Sequence, residues 1–346
     1  MSKLHISEAG PLKRISLSFA PHVRRIVNLV TLCVALPAVA HAGGLQRLFP
    51  EPVYVDMQQT GDIEEFPRQV VWHGYPDCHY VEVGPKGNLL MISGFKTGRI
   101  YFADAHNGRK LATVRIGRVV QGVNISPTGQ LGVAVDTSAG AIKLINLRDF
   151  KVTRTIPVGR MPHNLVFSKH GHLAYVSVQG ADKIAVVDIR AGKVLRDIPL
   201  PGMTGPHNLA LSPDGRTLWV RNHPAPHQDG TVAVVDLATG RVKRYIHVGL
   251  FHGGMDVLAD GKLAFTTDIG GDTVDAINTR SLKVVRRIDV GAGPHGVRSS
   301  DNGRYVYSAT TRGNQLAVID ARTLKVLRRI PLHGRFGFWL AVRGRP

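Results

Sequence analysis

Four histidines share one setting in this sequence. His79, His163, His207 and His295 each stand eight residues before a glycine, at Gly87, Gly171, Gly215 and Gly303. Gln121 and Gly253 hold the same place before Gly129 and Gly261, and His252 misses it by one residue. Neutral imidazole suits copper, zinc and iron, so a fold that gathers these side chains makes them candidate metal ligands. His223 and His227, in the segment Asn222-His-Pro-Ala-Pro-His-Gln-Asp229, join His252 and Asp268 as secondary candidates. Asp136 stands in a place like that of Asp268, and with nearby histidines the two carboxylates suit a metal-bound water. His73 and Cys78 lie just ahead of the first of these segments. Of the two cysteines, Cys33 falls in the leader described below, so Cys78 is left without an intramolecular partner, either as a small core residue or as a soft ligand.

The elements that must position these residues follow from a repeat. The turns Gly84-Pro-Lys-Gly87, Ser126-Pro-Thr-Gly129, Ser168-Lys-His-Gly171, Ser212-Pro-Asp-Gly215, Leu258-Ala-Asp-Gly261 and Ser300-Asp-Asn-Gly303 recur every 42 to 46 residues. That period in a valine- and isoleucine-rich chain marks a propeller or solenoid. The third period resolves into four short segments, Asn164–Ser168, Leu173–Val178, Lys183–Ile189 and Lys193–Pro199, divided by turn residues. Four strands per period make one propeller blade. Six full repeats run from about 78 to 334, and the C-terminal Gly334-Arg-Phe-Gly-Phe-Trp-Leu-Ala-Val342 matches the opening strand of a blade. The expectation is an all-β, seven-bladed propeller of four-stranded blades over residues 43–346. Its seventh blade is shared between about 52–72 and 335–346, which removes exposed sheet edges. The eighth residue before each turn glycine then falls at the entry of an innermost strand, beside the central channel. The loops between second and third strands open on the same face. The register histidines fall on blades one, three, four and six, with Phe338 in the seventh, and a gap of that size suits a metal cluster or a haem better than one ion.

The pattern Leu-Ala-Tyr-Val-Ser-Val178, Lys-Ile-Ala-Val-Val-Asp188, Gly192-Lys-Val, with its parallel Tyr-Val-Tyr-Ser-Ala309, Leu-Ala-Val-Ile-Asp320, resembles the YVTN repeat of YncE-like periplasmic proteins. It is also similar to the haem-carrying propeller of dissimilatory nitrite reductase. The resemblance covers nearly the whole chain after the leader. It implies the propeller fold, and it leaves function open, because the repeat is mainly a way to build blades. In such repeats Pro-His recurs at this place as part of the blade itself, so the histidines are read either as blade residues or as a site. The histidine-lined copper head of nitrous oxide reductase is an analogy only. A lactonase-like hydrolase shares the fold. DNA binding is a further implication of the YncE-like resemblance.

Arg24 and Arg25 precede an apolar run, Ile26 to Ala40, followed by Ala40-His-Ala42. These are the parts of a secretory signal peptide covering 1–42 and cleaved after Ala42, which predicts a periplasmic protein. The run is too short for a bilayer and Pro37 interrupts it. The formal charge of +19 belongs mainly to the remainder, since only five of 44 Lys and Arg residues precede position 43. Basic pairs recur in the outermost segments, as in Lys151-Val-Thr-Arg154, Lys193-Val-Leu-Arg196 and Lys325-Val-Leu-Arg-Arg329. They suit DNA or another anionic surface, and equally they protect edge strands from pairing. No Walker loop, nucleophile elbow or CxxCH haem attachment occurs. The expected function is that of an exported binding or accessory protein with a histidine-lined channel mouth for a ligand, metal or partner protein. A copper- or haem-dependent oxidoreductase is the alternative.

Overall fold

The computed structural model describes residues 44–343, and the expected signal peptide, 1–42, lies outside them. Seven four-stranded antiparallel sheets follow one another along the chain. Blade one comprises Cys78–Val83, Leu89–Gly94, Arg99–Asp104 and Lys110–Arg115. Blade four comprises Pro206–Leu211, Thr217–Asn222, Asp229–Asp236 and Arg241–Leu250; blade five comprises Met255–Val257, Leu263–Asp268, Thr273–Asn278 and Lys283–Asp289. Blades two, three and six begin at Val120, Pro162 and Pro294. The seventh takes its inner strand, Gly337–Val342, from the C-terminal end and its outer three, Val53–Met57, Asp62–Phe66 and Val70–His73, from the N-terminal side. Val53 pairs with Val342 and Tyr54 with Ala341, so the expected ring closure is borne out.

Each blade carries its polarity in its strands. Inner strands are almost wholly buried, as in Pro162–Phe167, whereas outer strands such as Lys193–Pro199 are mostly exposed. Valine and leucine from facing blades fill the space between sheets: Val133 and Val135 of blade two meet Leu165 and Val176 of blade three. Burying each such side chain stabilises by about 1.5–3 kcal/mol. The six period-marking glycines all adopt φ between +67° and +73°, the left-handed region that side chains disfavour, which is why glycine recurs there.

The basic outer strands have a role within the ring. Arg154 of blade two donates to the Arg190 carbonyl of blade three (3.2 Å), and Arg196 of blade three to the Leu237 carbonyl of blade four (2.8 Å). A Cβ on Gly192 would stand 1.8 Å from the Arg154 guanidinium, so the glycine leaves room for the staple. These arginines tie blade to blade.

Candidate functional site: a histidine cluster at one channel mouth

The inner strand of the third blade starts two residues earlier than its pattern suggested, and the cause shapes the site. Pro162 pairs with Val178, but the next paired residue is Leu165 with Val176, so His163 and Asn164 form a bulge. The same shift occurs around His207, His295, Gln121 and His79. A bulge re-aims the residue it carries, and here it turns each register side chain into the mouth of the channel. Neighbouring second strands fix the bulges. Ser177 Oγ accepts the Asn164 N–H (3.0 Å) and donates to the His207 carbonyl of the next blade (2.7 Å). Thr267 Oγ1 likewise accepts from Gly254 and donates to the His295 carbonyl (both 2.6 Å).

Blade four breaks this pattern. Arg221 occupies the place of Ser177 and Thr267 and is fully buried, donating to the carbonyls of Phe251 (2.6 Å) and Gly249 (3.4 Å) and to Asn222 Oδ1 (3.0 Å). Burial draws its pKa down to about 10, against the favourable charges of Asp268 and Asp275. The strap it holds runs through Phe251, at φ +67°, and delivers His252 in place of the register residue. Gly253 is left with no room for a side chain, since a Cβ there would lie 2.0 Å from the Thr267 carbonyl oxygen. This explains why His252 is one position off register.

The imidazoles meet as a continuous arc. His163 stacks on His207 with ring centroids 3.4 Å apart, and His207 lies 5.0 Å from His252 and 5.2 Å from His223. His223 stacks on His252 at 4.3 Å, and His252 meets His295 edge-on at 5.1 Å. Phe338 then bridges His295 (3.7 Å) to His79 (4.3 Å). Within the arc, His207, His223 and His252 each offer a ring nitrogen, and these nitrogens all lie within 4.8 Å of one another. The Nδ1 atoms of His163, His207 and His252 and both ring nitrogens of His295 are buried without a hydrogen-bond partner. Burial holds His163, His207 and His295 well below the ordinary imidazole pKa and His252 down to about 2, with His223 also lowered. The rings are therefore neutral near pH 7, the form that ligates metals.

Other sequence candidates fall elsewhere. His79 is saturated: Gln121 Oε1 accepts from its Nε2 (2.7 Å) and its Nδ1 accepts from Gln58 Nε2 (2.9 Å). One neutral tautomer satisfies both partners and leaves no nitrogen free. His227 is exposed, and His73 is exposed beside Asp62 at 2.8 Å. Asp268 accepts from the Gly271 amide (2.8 Å) and faces Arg221, while Asp136 accepts from Ser138 and Ala139 and pairs with Lys143 (3.5 Å). No carboxylate among the described residues joins the imidazoles. Cys78 is buried, its thiol 3.5 Å from the Asp62 carbonyl oxygen and pushed well above its usual pKa by burial.

Below the histidines the channel is blocked. Tyr80 reaches from blade one to Asn208 of blade four (2.8 Å), and Asn208 also accepts from Asn164 and donates to the Gly253 carbonyl (both 2.8 Å). Trp339 packs on Tyr80 at 4.5 Å. The sequence pattern carried no signal for this septum, nor for Arg221, because the partners of both lie far along the chain.

Comparison with known proteins agrees with this architecture. Residues 225–337 match the family model of the cytochrome D1 heme domain, which supports the resemblance to the haem propeller and leaves the YVTN naming without support of its own. No curated protein matches the sequence. Among solved structures the chain is similar to hydrazine synthase of Kuenenia stuttgartiensis: TM-score 0.70, 19% identity, covering 76% of this chain and 89% of that one. It is also similar to a functionally unknown protein from Desulfotomaculum acetoxidans: TM-score 0.72, 15% identity, covering 86% of this chain and all of the other. The chain is a seven-bladed β-propeller that is similar, over residues 225–337, to the cytochrome D1 heme domain.

Proposed function

We propose that the protein is an exported, periplasmic binding or accessory propeller whose histidine mouth holds a transition-metal ion through His207, His223 and His252. The observation that carries this reading is the convergence of three neutral imidazoles, two of them with a buried Nδ1 lacking any partner. Leaving such atoms unsatisfied costs about 1–3 kcal/mol each, a cost that a bound ion removes. Three imidazoles with an open fourth position suit copper or zinc. With no carboxylate in the cluster and Arg221 close by, a bound ion keeps its full positive charge. The site therefore favours univalent copper, or a divalent ion accompanied by an anion from solution.

A second reading rests on the match to the cytochrome D1 heme domain, which spans His252 and His295. His223 and His252, both half-buried and packed against Phe251, are the residues that would hold the haem iron. Iron in that position would supply one-electron chemistry, and the protein would then be an oxidoreductase. As for partners, the cationic outer strands face solvent and would meet nucleic acid or another anionic surface. Their staples between blades give them a structural role without one.

The test is titration of the metal-free chain with cuprous and cupric ion and, separately, with hemin, followed by absorption and electron paramagnetic resonance. One tight copper equivalent, showing nitrogen hyperfine structure in its cupric form and weakened at least a hundredfold in His252→Ala, is the expected result. A Soret shift lost in that variant without copper binding would establish the haem reading. Binding unchanged by His207→Ala and His252→Ala removes both.

A further inference from the structure

The channel has a second end, and it carries different chemistry. Three residues beyond the register positions His79, Gly253 and His295, about 10 Å deeper at roughly 3.3 Å per strand residue, the inner strands present Glu82, Asp256 and Arg298. The hairpin turns at this end surround a cavity of about 280 Å³. Its walls are mostly apolar, with Ile125, Val166, Phe167 and Pro213; Ser126, Ser168 and Ser212 add hydroxyls, and Glu82 and Asp256 line it as well. Tyr80, Asn164 and Asn208 divide it from the histidine cluster.

The two carboxyl groups are not alike. Asp256 Oδ2 accepts from the Ser299 amide (2.7 Å) and hydroxyl (2.6 Å). Glu82, only 3% exposed, takes no side-chain hydrogen bond; the Val83 amide, the Arg298 guanidinium and the Asp256 charge are what face it. Arg298 is spent on the carbonyls of Met255 (3.3 Å) and Val297 (3.2 Å), with its Nε buried and unpartnered. Arg298 is the cation that faces Glu82 in the buried layer, where Asp256 adds a second carboxyl, while the Lys169 ammonium lies at the exposed rim. A divalent metal does not suit the site, because Glu82 and Asp256 belong to no group of three converging donors among the described residues.

We infer that this second mouth binds a small organic cation, an ammonium group on an apolar body of aromatic-ring size, with Glu82 as its counter-ion. Burial raises the Glu82 pKa to about 8, so near pH 7 the carboxyl is mostly protonated and an arriving ammonium ion displaces that proton to solvent. The charged groups bearing on this exchange are Arg298 and Asp256 beside Glu82 and Lys169 in the cavity lining.

The experiment is isothermal titration of the full chain with 2-phenylethylamine and with 2-phenylethanol, its uncharged counterpart, in buffers of differing ionisation enthalpy. The expected result is one amine per chain, bound at least tenfold tighter than the alcohol, with close to one proton released at pH 7 and almost none at pH 9. Glu82→Gln, which mimics the neutral carboxyl, should lower amine affinity at least tenfold and abolish proton release. His207→Ala should leave amine binding unchanged, separating this site from the metal mouth. Equal binding of amine and alcohol, no amine binding, or indifference to Glu82→Gln overturns the inference. Should that variant fail to fold, the amine–alcohol ratio in the natural chain decides.

Discussion

His79 and His207 stand at the same register position of blades one and four, each re-aimed by a bulge, each buried, each with its pKa pushed down by burial. Their neighbours separate them. Blade two offers His79 a glutamine and the seventh blade's 58-position offers another, so both its nitrogens are satisfied by protein. His207 meets three other imidazoles, His163, His223 and His252, and its Nδ1 finds no partner. A repeat duplicates residues without duplicating their surroundings. The same imidazole is a structural part of one wall and a ligand candidate on the other.

The largest effect on this contrast should come from the strap that brings His252 in. Replacing Arg221 by methionine leaves Asp268 and Asp275 without their buried cation and frees the carbonyls of Gly249 and Phe251. A loss of about 3 kcal/mol in urea unfolding is expected, with copper affinity down at least about tenfold, because the residue acts through the position of a ligand. Unaltered copper affinity in a folded Arg221→Met protein would show that the strap is not needed.

The acid limb of stability tests the satisfied side. His79 has a folded pKa of about 3 against about 6.5 when unfolded. Above pH 6.5 it is neutral in both states and has no effect. As pH falls from 6.5 toward 3 the unfolded chain gains a proton that the folded chain refuses, so stability drops by about 1.4 kcal/mol per pH unit for this group. His79→Gln should flatten the metal-free protein's curve by about that slope, measured by denaturant titrations between pH 4 and 7. The carboxyls of Asp56 and Glu82, raised to about 8, work in the opposite direction, reducing stability as pH climbs from about 4 to 8. His163, His207, His252 and His295 are lowered like His79, so below pH 6.5 the histidines outweigh the two carboxyls and above it the carboxyls act alone, and stability should peak near pH 6.5.

The smallest effect distinguishes the two histidines of the long blade-four loop. His223 stacks on His252, whereas His227 is exposed. His227→Ala should change copper affinity less than about twofold, while His223→Ala should weaken it by more than tenfold, within the range seen for altered metal shells. Equal losses in calorimetry would mean that the loop closes over the mouth on binding.

The ring itself was legible in the residues. Turn glycines at a steady period, four β-segments between them, and an orphan strand pattern at the C-terminal end are local signals, and strand closure follows because an unpaired edge is costly. The eight-residue spacing also placed His163, His207 and His295 at one mouth, since strand geometry converts sequence distance into depth along the channel. What spacing cannot carry is the partner across a gap. Whether a ring nitrogen meets Gln121, another imidazole or nothing depends on side chains from different blades, forty or more residues apart. The same holds for Arg221, which pulls His252 off register, and for Tyr80, which blocks the channel by reaching Asn208 128 residues away. Sequence alone determined the repeat and therefore the blades, because hydrogen bonding and turn conformation act between near neighbours. Only the closed ring decided which histidines converge, because that convergence is a property of the space the blades enclose.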